Sequence, residues 1–407
     1  MQEQLKYEDI VKARQKIYQA ARWTPLDFST TFSKIFGQEV YFKYENLQKT
    51  GSFKIRGAFN KITGLTDSER KKGVIAASAG NHAQGVAYAA STAGCRSIIV
   101  MPEGVPIAKL VATKSYGAEV ILSGQSYDEA YAAAEKLQAE KDATFIHAFN
   151  DADIIAGQGT VGLEIFDDLP DVDTVIVPIG GGGIIAGTAL ALKHLNPHIK
   201  IIGVQAEGAP SMKSALSQGA FQELDWLSTI ADGIAVKHPG SLTLPVVKEY
   251  VDDIVLVNDE EIAEAILMML ERAKVICEGA GAVGVAALLH KRIEPAGKTV
   301  VLISGGNIDV HTLSIIIERG LIKVGRYFRF NTVVVDKPGV LQKLLGILAT
   351  TKANVVSVNH ERLLPRVPIT QVEIQMDLET RDKEHVQRIT EVLRSNGYDI
   401  TIEEYVY

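Results

Sequence analysis

Between Val40 and about Ile322 the chain alternates short apolar runs with alanine-rich stretches, and this alternation constrains the fold more than any other feature. The clearest runs are Val74–Ala77, Ser97–Met101, Glu119–Leu122, 174–177, 200–204 and Thr299–Ile303. A strand that is apolar at successive positions has no face to offer water, so it must be covered on both sides. Helical stretches, as over 81–93 and 127–140, separate these runs. The expected fold class is therefore α/β, with open parallel sheets between helices. At 407 residues the chain exceeds one ordinary domain, and two or three are expected.

Near Arg326 the pattern changes to strand, helix, strand, strand, helix, strand. Residues 328–335 are β-rich, Asp336 is placed to cap the next helix, and Pro338 falls in its first turn. Leu341, Leu344, Leu345 and Leu348 recur at helical spacing. Strands over 354–364 and 372–378, a helix through Val386, Ile389, Val392 and Leu393, and a last strand from Tyr398 to Glu403 complete a βαββαβ order. That is the order of a ferredoxin-like domain, placed at 326–407 with its boundary within 323–327.

Composition narrows the function classes. Hydrophobic residues make up 46% and charged residues 22%, a balance with ample material for a core. The net charge of −7 and the lack of a basic tract argue against nucleic acid or an anionic membrane as partner. No apolar run approaches the roughly 20 residues of a membrane span, and the amphipathic N-terminal stretch has no signal-peptide core. Cys95 and Cys277 form no metal-spaced cluster and read as small buried hydrophobes, which fits a reduced, cytoplasmic compartment.

Four segments could carry chemistry. Lys54, in Gly51-Ser-Phe-Lys54, follows a turn and begins a helical pattern. Such a lysine is usually a solvated surface residue, but one that is partly desolvated near a helix N-terminus has a depressed pKa and can form an imine with an aldehyde. Phe53 could offer a flat apolar face to an aromatic cofactor. Ser78, Ala79, Gly80, Asn81 and His82 lie between a strand and a helix, where exposed N–H groups bind a carboxylate; the plain alternative is a turn capped by Asn81. Gly180, Gly181, Gly182, Gly183 and Ile184 also join a strand to a helix, and such a loop can wrap a phosphate against the helix dipole. It is not a P-loop, because no Gly-Lys-Ser/Thr follows. Ser304, in Ser304-Gly-Gly-Asn307, ends a strand where its hydroxyl could meet a ring nitrogen.

A dinucleotide-binding reading competes. Gly181-x-Gly183-x-x-Ala186 follows a strand, with Glu207 further on at a strand end. Gly279-x-Gly281-x-x-Gly284 matches the fingerprint literally but follows a helical stretch, which excludes it. An oxidoreductase leaves Lys54, Asn81 and Ser304 unexplained, and a non-catalytic amino-acid sensor built on a retired enzyme does not need both Lys54 and Ser304.

Taken in order, the four segments resemble the fold-type II pyridoxal-phosphate enzymes, and most closely the threonine dehydratases, over residues 5–322. The resemblance implies a tryptophan-synthase-β-like core of two open parallel-sheet domains, 1–48 with 152–322 and 49–151. It implies pyridoxal 5′-phosphate held covalently by Lys54, beside Phe53. Asn81 would contact the cofactor's 3′-oxygen, and Gly180 to Ile184 its phosphate. Ser304 would meet the pyridine nitrogen. Ser78, Ala79, Gly80, Asn81 and His82 would receive the substrate carboxylate, and the Glu278-Gly-Ala-Gly-Ala segment would lie near the ring. Residues 326–407 resemble an ACT domain, with Gly339, Val340, Leu341 and Asn354 in its effector pattern. The plain alternative for this domain is an oligomerisation platform without a ligand.

The activity implied is loss of water from L-threonine and hydrolysis of the resulting enamine to 2-oxobutanoate and ammonia, and likewise L-serine to pyruvate and ammonia, with Lys54 as general base. An amino-acid effector such as isoleucine or valine and a homo-oligomer, dimer or tetramer, are the expected partners. Two departures from related patterns matter. Ala79 stands where serine racemases carry a second catalytic serine, so little racemisation is expected. Lys213 stands six residues after Glu207, where metal-dependent relatives carry aspartate; its ammonium would take the cation's place, and no metal is expected.

Overall fold

The computed structural model describes residues 5–218 and 226–402, and its chain divides into two compact units, 1–309 and 310–407. The helix Val310–Lys323 falls in the second unit, whereas the sequence pattern sets the boundary at 323–327.

The strands of the first unit are β1 (Leu26–Phe28), β2 (Val40–Tyr44), β3 (Val74–Ala77), β4 (Ser97–Met101), β5 (Glu119–Leu122), β6 (Thr144–Phe145), β7 (Thr174–Pro178), β8 (Lys200–Ala206), β9 (Asp253–Val257) and β10 (Thr299–Ile303). One sheet has the order β1-β2-β10-β7-β8-β9, parallel except for the antiparallel β1–β2 pair; the other, β5-β4-β3-β6, is parallel throughout. Every residue of β3, β4, β7 and β10 is buried, which is why these strands are apolar along their whole length. The edge strands β1, β5 and β9 keep exposed positions. β1, β6 and β9 carry too short or too mixed a pattern to stand out in the sequence.

Two helices clamp the start of the helix Lys54–Gly64. The helix Ala152–Asp168 presents Gln158, whose Oε1 accepts from the Gly57 N–H at 3.2 Å. The helix Asn81–Thr92 brings Gly85 against Lys54, where any side chain would meet the Lys54 backbone at 3.1 Å. Behind them, fully buried Arg56 bridges Glu45 and Glu164, with Nη2–Oε1 at 2.7 Å and Nη1–Oε1 at 2.6 Å. Burial works against this guanidinium, but the two carboxylates outweigh it and hold it above its ordinary pKa. Lys43 closes the network on Glu164 at 2.7 Å.

The second unit has strands β11 (Tyr327–Val335), β12 (Asn354–Glu361), β13 (Gln371–Glu379) and β14 (Ile400–Ile402), in an antiparallel sheet of order β12-β13-β11-β14. With the helices Val340–Thr351 and Lys383–Ser395, this is the ferredoxin-like βαββαβ topology. Phe328, Phe330, Leu344, Leu348, Ile374, Met376, Ile389 and Leu393 form its core. The first helix starts later than the sequence suggests. Gly339, at φ +88°, precedes Val340, so Pro338 lies outside the helix and Asp336 does not cap it. Asp336 instead pairs with Arg362 at 2.8 Å. In the last strand, Glu403 lies outside the described residues.

Candidate active site

The site follows from where the strands end. β3, β7 and β10 run into Ser78, Gly180 and Ser304, and these C-terminal ends border a cavity of about 690 Å³. In open α/β sheets this is where ligands bind. Phe53, Lys54, Ser78, Ala79, Gly80, Asn81, His82, Gly180, Gly181, Gly182, Gly183, Ile184 and Ser304 all line it. The structure thus gathers every residue singled out for cofactor and substrate around one volume, within the range of small-molecule sites.

Lys54 is the first residue of its helix, and its Nζ donates to the Ala148 carbonyl at 3.0 Å. Burial pushes its amine down to about 8, against the pull of the Glu278 carboxylate. Such a lysine is far more often a free amine near neutral pH than a surface one. Phe53 packs beside it, its ring centroid 5.2 Å from Nζ, and the Phe53 N–H donates to Ser304 O at 3.2 Å. That bond ties the lysine's helix to the β10 turn.

Across the cavity the glycine loop opens the helix Gly183–Leu195, whose first N–H groups have no partner within the helix. Gly182 sits at φ +94°, and a Cβ there would lie 2.6 Å from Met212 and 2.7 Å from the Thr243 hydroxyl. Thr243 donates to Gly181 O at 2.6 Å, and the Gly240 N–H donates to the same oxygen at 3.1 Å. The loop is therefore held from outside by the Gly181 carbonyl.

At the third wall the helix Asn81–Thr92 is preceded by Gly80, not capped by Asn81. The Asn81 side chain instead donates through Nδ2 to Glu278 Oε1 at 2.6 Å, and its Oδ1 accepts from Asn307 Nδ2 at 2.8 Å. Ser78 Oγ accepts from the Gly80 N–H at 3.2 Å, bracing the turn. His82 is buried, and its Nε2 meets the Ile146 carbonyl at 2.8 Å, so that nitrogen carries the proton. Burial and the nearby Lys54 charge push its ring down to about 3, so it stays neutral and adds no charge to the wall.

The pattern did not single out His147, Phe149, Asp232 or Lys109. His147 and Phe149 follow the two-residue strand β6, and Asp232 and Lys109 form an ion pair at 2.7 Å. None sits in a motif; Asn307, which ends the Ser304 turn, was the one signal available. Burial pushes His147 down to about 4, and its Nδ1 accepts from the Phe149 and Asn150 N–H groups.

Two other expectations resolve differently. Lys213 is exposed and has no described ion pair with Glu207, whose partner is Arg292 at 3.9 Å. A guanidinium from after the helix Gly279–Leu289, not the Lys213 ammonium, stands near that carboxylate. In the second unit, Gly339, Val340 and Leu341 border a cavity of about 360 Å³, but Asn354 does not; its amide donates to Glu379 at 3.2 Å.

Comparisons with known proteins agree with this geometry. The signature of the family described as pyridoxal-phosphate dependent enzyme matches residues 17–306. The L-threonine ammonia-lyase of Thermotoga maritima is 53% identical over 395 residues, covering 97% of this chain and 98% of that one. Two solved structures are each 38% identical. Maize serine racemase superposes with a TM-score of 0.74 over 79% of this chain and 99% of its own. Threonine deaminase isoform 2 from Solanum lycopersicum gives 0.73 over 77% and 92%. The chain belongs to the pyridoxal-phosphate-dependent enzyme family, with the fold-type II architecture. The dinucleotide reading is thereby set aside: Gly279 to Gly284 lie inside a helix, and the family's cofactor is pyridoxal phosphate.

The walls fit the cofactor on their own terms. A cradle with no room for side chains opens a helix N-terminus, a desolvated lysine amine lies in the same cavity, and a neutral hydroxyl, Ser304, follows the end of β10.

Proposed function

We propose that this protein eliminates water from L-threonine and releases an enamine that water then hydrolyses to 2-oxobutanoate and ammonia, and that it acts on L-serine in the same way to give pyruvate and ammonia. The observation that carries this reading is Lys54, a buried amine held at about 8, in one cavity with the glycine cradle and Ser304. The extensive identity with a threonine ammonia-lyase supports the substrate.

Bound pyridoxal phosphate supplies the electron sink for the substrate's α-carbon. The chain's residues do the rest. Lys54 would hold the cofactor, and its amine, when free, would take the substrate's α-proton, work worth about 10²–10⁴-fold. The N–H groups of Gly180, Gly181, Gly182, Gly183 and Ile184 would hold the phosphate. Asn81 would donate to the 3′-oxygen. Ser304 would meet the pyridine nitrogen as a neutral partner, which would favour elimination over transamination. The turn from Ser78 to His82 receives the substrate carboxylate through its N–H groups, since the neutral His82 ring adds no charge. Ala79 has no hydroxyl to return a proton to the opposite face, so racemisation stays far below elimination.

The core is read as two domains, 1–48 with 152–322 and 49–151, supported by two separate sheets built from 26–44 with 174–303 and from 74–145. The second unit is read as an ACT domain that takes an amino acid at the turn Gly339, Val340 and Leu341, supported by its topology and its cavity. Such a unit works between copies of the chain, so a homo-oligomer in the cytoplasm completes the reading. Among the described residues no helix is long and apolar enough to cross a membrane. Assaying the purified protein for 2-oxo acid from L-threonine and L-serine tests the activity. Product from neither, in a cofactor-loaded protein, rejects it.

A further inference from the structure

Glu278 is a buried cavity-lining carboxyl that the chemistry above does not use. It is only 4% exposed and precedes the helix Gly279–Leu289. Its N–H donates to Gly305 O at 3.1 Å, next to Ser304, and its Oε1 accepts from Asn81 Nδ2 at 2.6 Å. The polarity of this chain of bonds is forced from its far end. Asn307 Nδ2 donates to the Thr50 carbonyl at 2.8 Å, which can only accept, and to Asn81 Oδ1 at 2.8 Å. The Asn81 amide must therefore turn its Nδ2 to Glu278, leaving one further N–H for the cavity.

We propose that Glu278 is a positioning residue for the reaction: its carboxylate holds the Asn81 amide so that the remaining N–H faces the cofactor, and this hold strengthens as Glu278 ionises. The proposal rests on the reading of Asn81 as a cofactor contact. A carboxylate accepts a charge-assisted bond about twice as strong as a neutral acceptor's. Burial pushes the Glu278 carboxyl up to about 7, with Asp232 adding to the rise and Asn81, Lys109 and Lys54 opposing it. These groups face it from four elements: the turn at Asp232–Ile234 and the helices beginning at Asn81, Ile107 and Lys54. Its chain neighbour Cys277 stays a neutral thiol, pushed up to about 12 by burial. A group with a raised carboxyl pKa is neutral below about 7 and charged above it. The Asn81 amide is thus held firmly on the alkaline side and loosely on the acid side.

The test follows two readouts against pH in the holoenzyme: the absorbance of the bound cofactor without substrate, and kcat and KM for L-threonine. Glu278→Gln and Asp232→Asn are compared with the wild type. The wild type is expected to show a transition near pH 7 in the absorbance and an acid limb in kcat. Glu278→Gln, a permanently neutral acceptor, is expected to lose both and to keep alkaline kcat within about tenfold. Asp232→Asn leaves Glu278 in place but removes a neighbouring negative charge, so the midpoint moves to lower pH. A transition that survives Glu278→Gln, or a midpoint unmoved in Asp232→Asn, overturns the proposal. If Glu278→Gln fails to retain cofactor, Asp232→Asn alone decides. A cofactor-loaded wild type inactive on threonine would reject the proposed activity, while the absorbance titration would still decide on Glu278.

Discussion

A cavity in each of the two units shows walls of opposite character. In the first unit a buried wall moves the groups it holds: Lys54 down to about 8, His82 to about 3, and Glu278 up to about 7. In the second unit the smaller cavity is bordered by an exposed turn, Asp336, Lys337, Pro338 and Gly339, and by an ion pair that water reaches. Desolvation is what turns a lysine into a base, and it requires a deep wall that the rest of the fold must support. A surface turn that fills and empties with a small amino acid needs no such wall. The arginines repeat the contrast, with Arg56 wholly buried between two carboxylates and Arg362 pairing Asp336 in solvent.

That contrast can be broken or sharpened in order of expected effect. Lys54→Ala should lower 2-oxobutanoate formation by at least about 10²–10⁴-fold, while any substitution around Gly339 leaves a measurable rate. Arg56→Met removes one charge from a closed network, leaves Glu45 without its ion-pair partner and leaves Glu164 with Lys43 alone. It should destabilise the protein by about 3–5 kcal/mol, read as a fall in Tm or denaturant midpoint. A panel of amino acids should shift the threonine saturation curve through the second cavity by about 1–3 kcal/mol; kinetics unchanged across the panel would make that unit a structural platform. Arg362→Ala should change stability by about 0–1 kcal/mol, the smallest effect of the set. If Arg362→Ala cost as much as Arg56→Met, burial would not be the distinction between the two regions.

The sequence made the central strands legible because β3, β4, β7 and β10 are buried on both faces and therefore apolar at every position. Edge strands β1 and β9 need no such run, and β6 has only two residues. The site was legible where a turn joins strand to helix, as at Gly180 and Ser78, because a backbone that must wrap a ligand restricts residue type. His147, Asp232 and Lys109 come to the cavity from separate elements, and no local pattern records a meeting of that kind. The partner of Glu207 shows the limit of spacing arguments. Lys213 lies close in sequence and is exposed, while Arg292 arrives from 85 positions further along the chain (292 against 207). In the second unit, leucine periodicity located the first helix, but the positive φ of Gly339 set its start at Val340, three residues beyond Lys337.

The central claim is that Lys54 is the residue that holds the cofactor and moves the proton. Borohydride reduction of the purified, cofactor-loaded protein, followed by peptide mass analysis, tests it most directly, because reduction fixes the carbon–nitrogen link wherever it exists. The account predicts a pyridoxyl group on the peptide containing Lys54. A pyridoxyl group on another lysine, or on none in a protein that carries the cofactor, would contradict it.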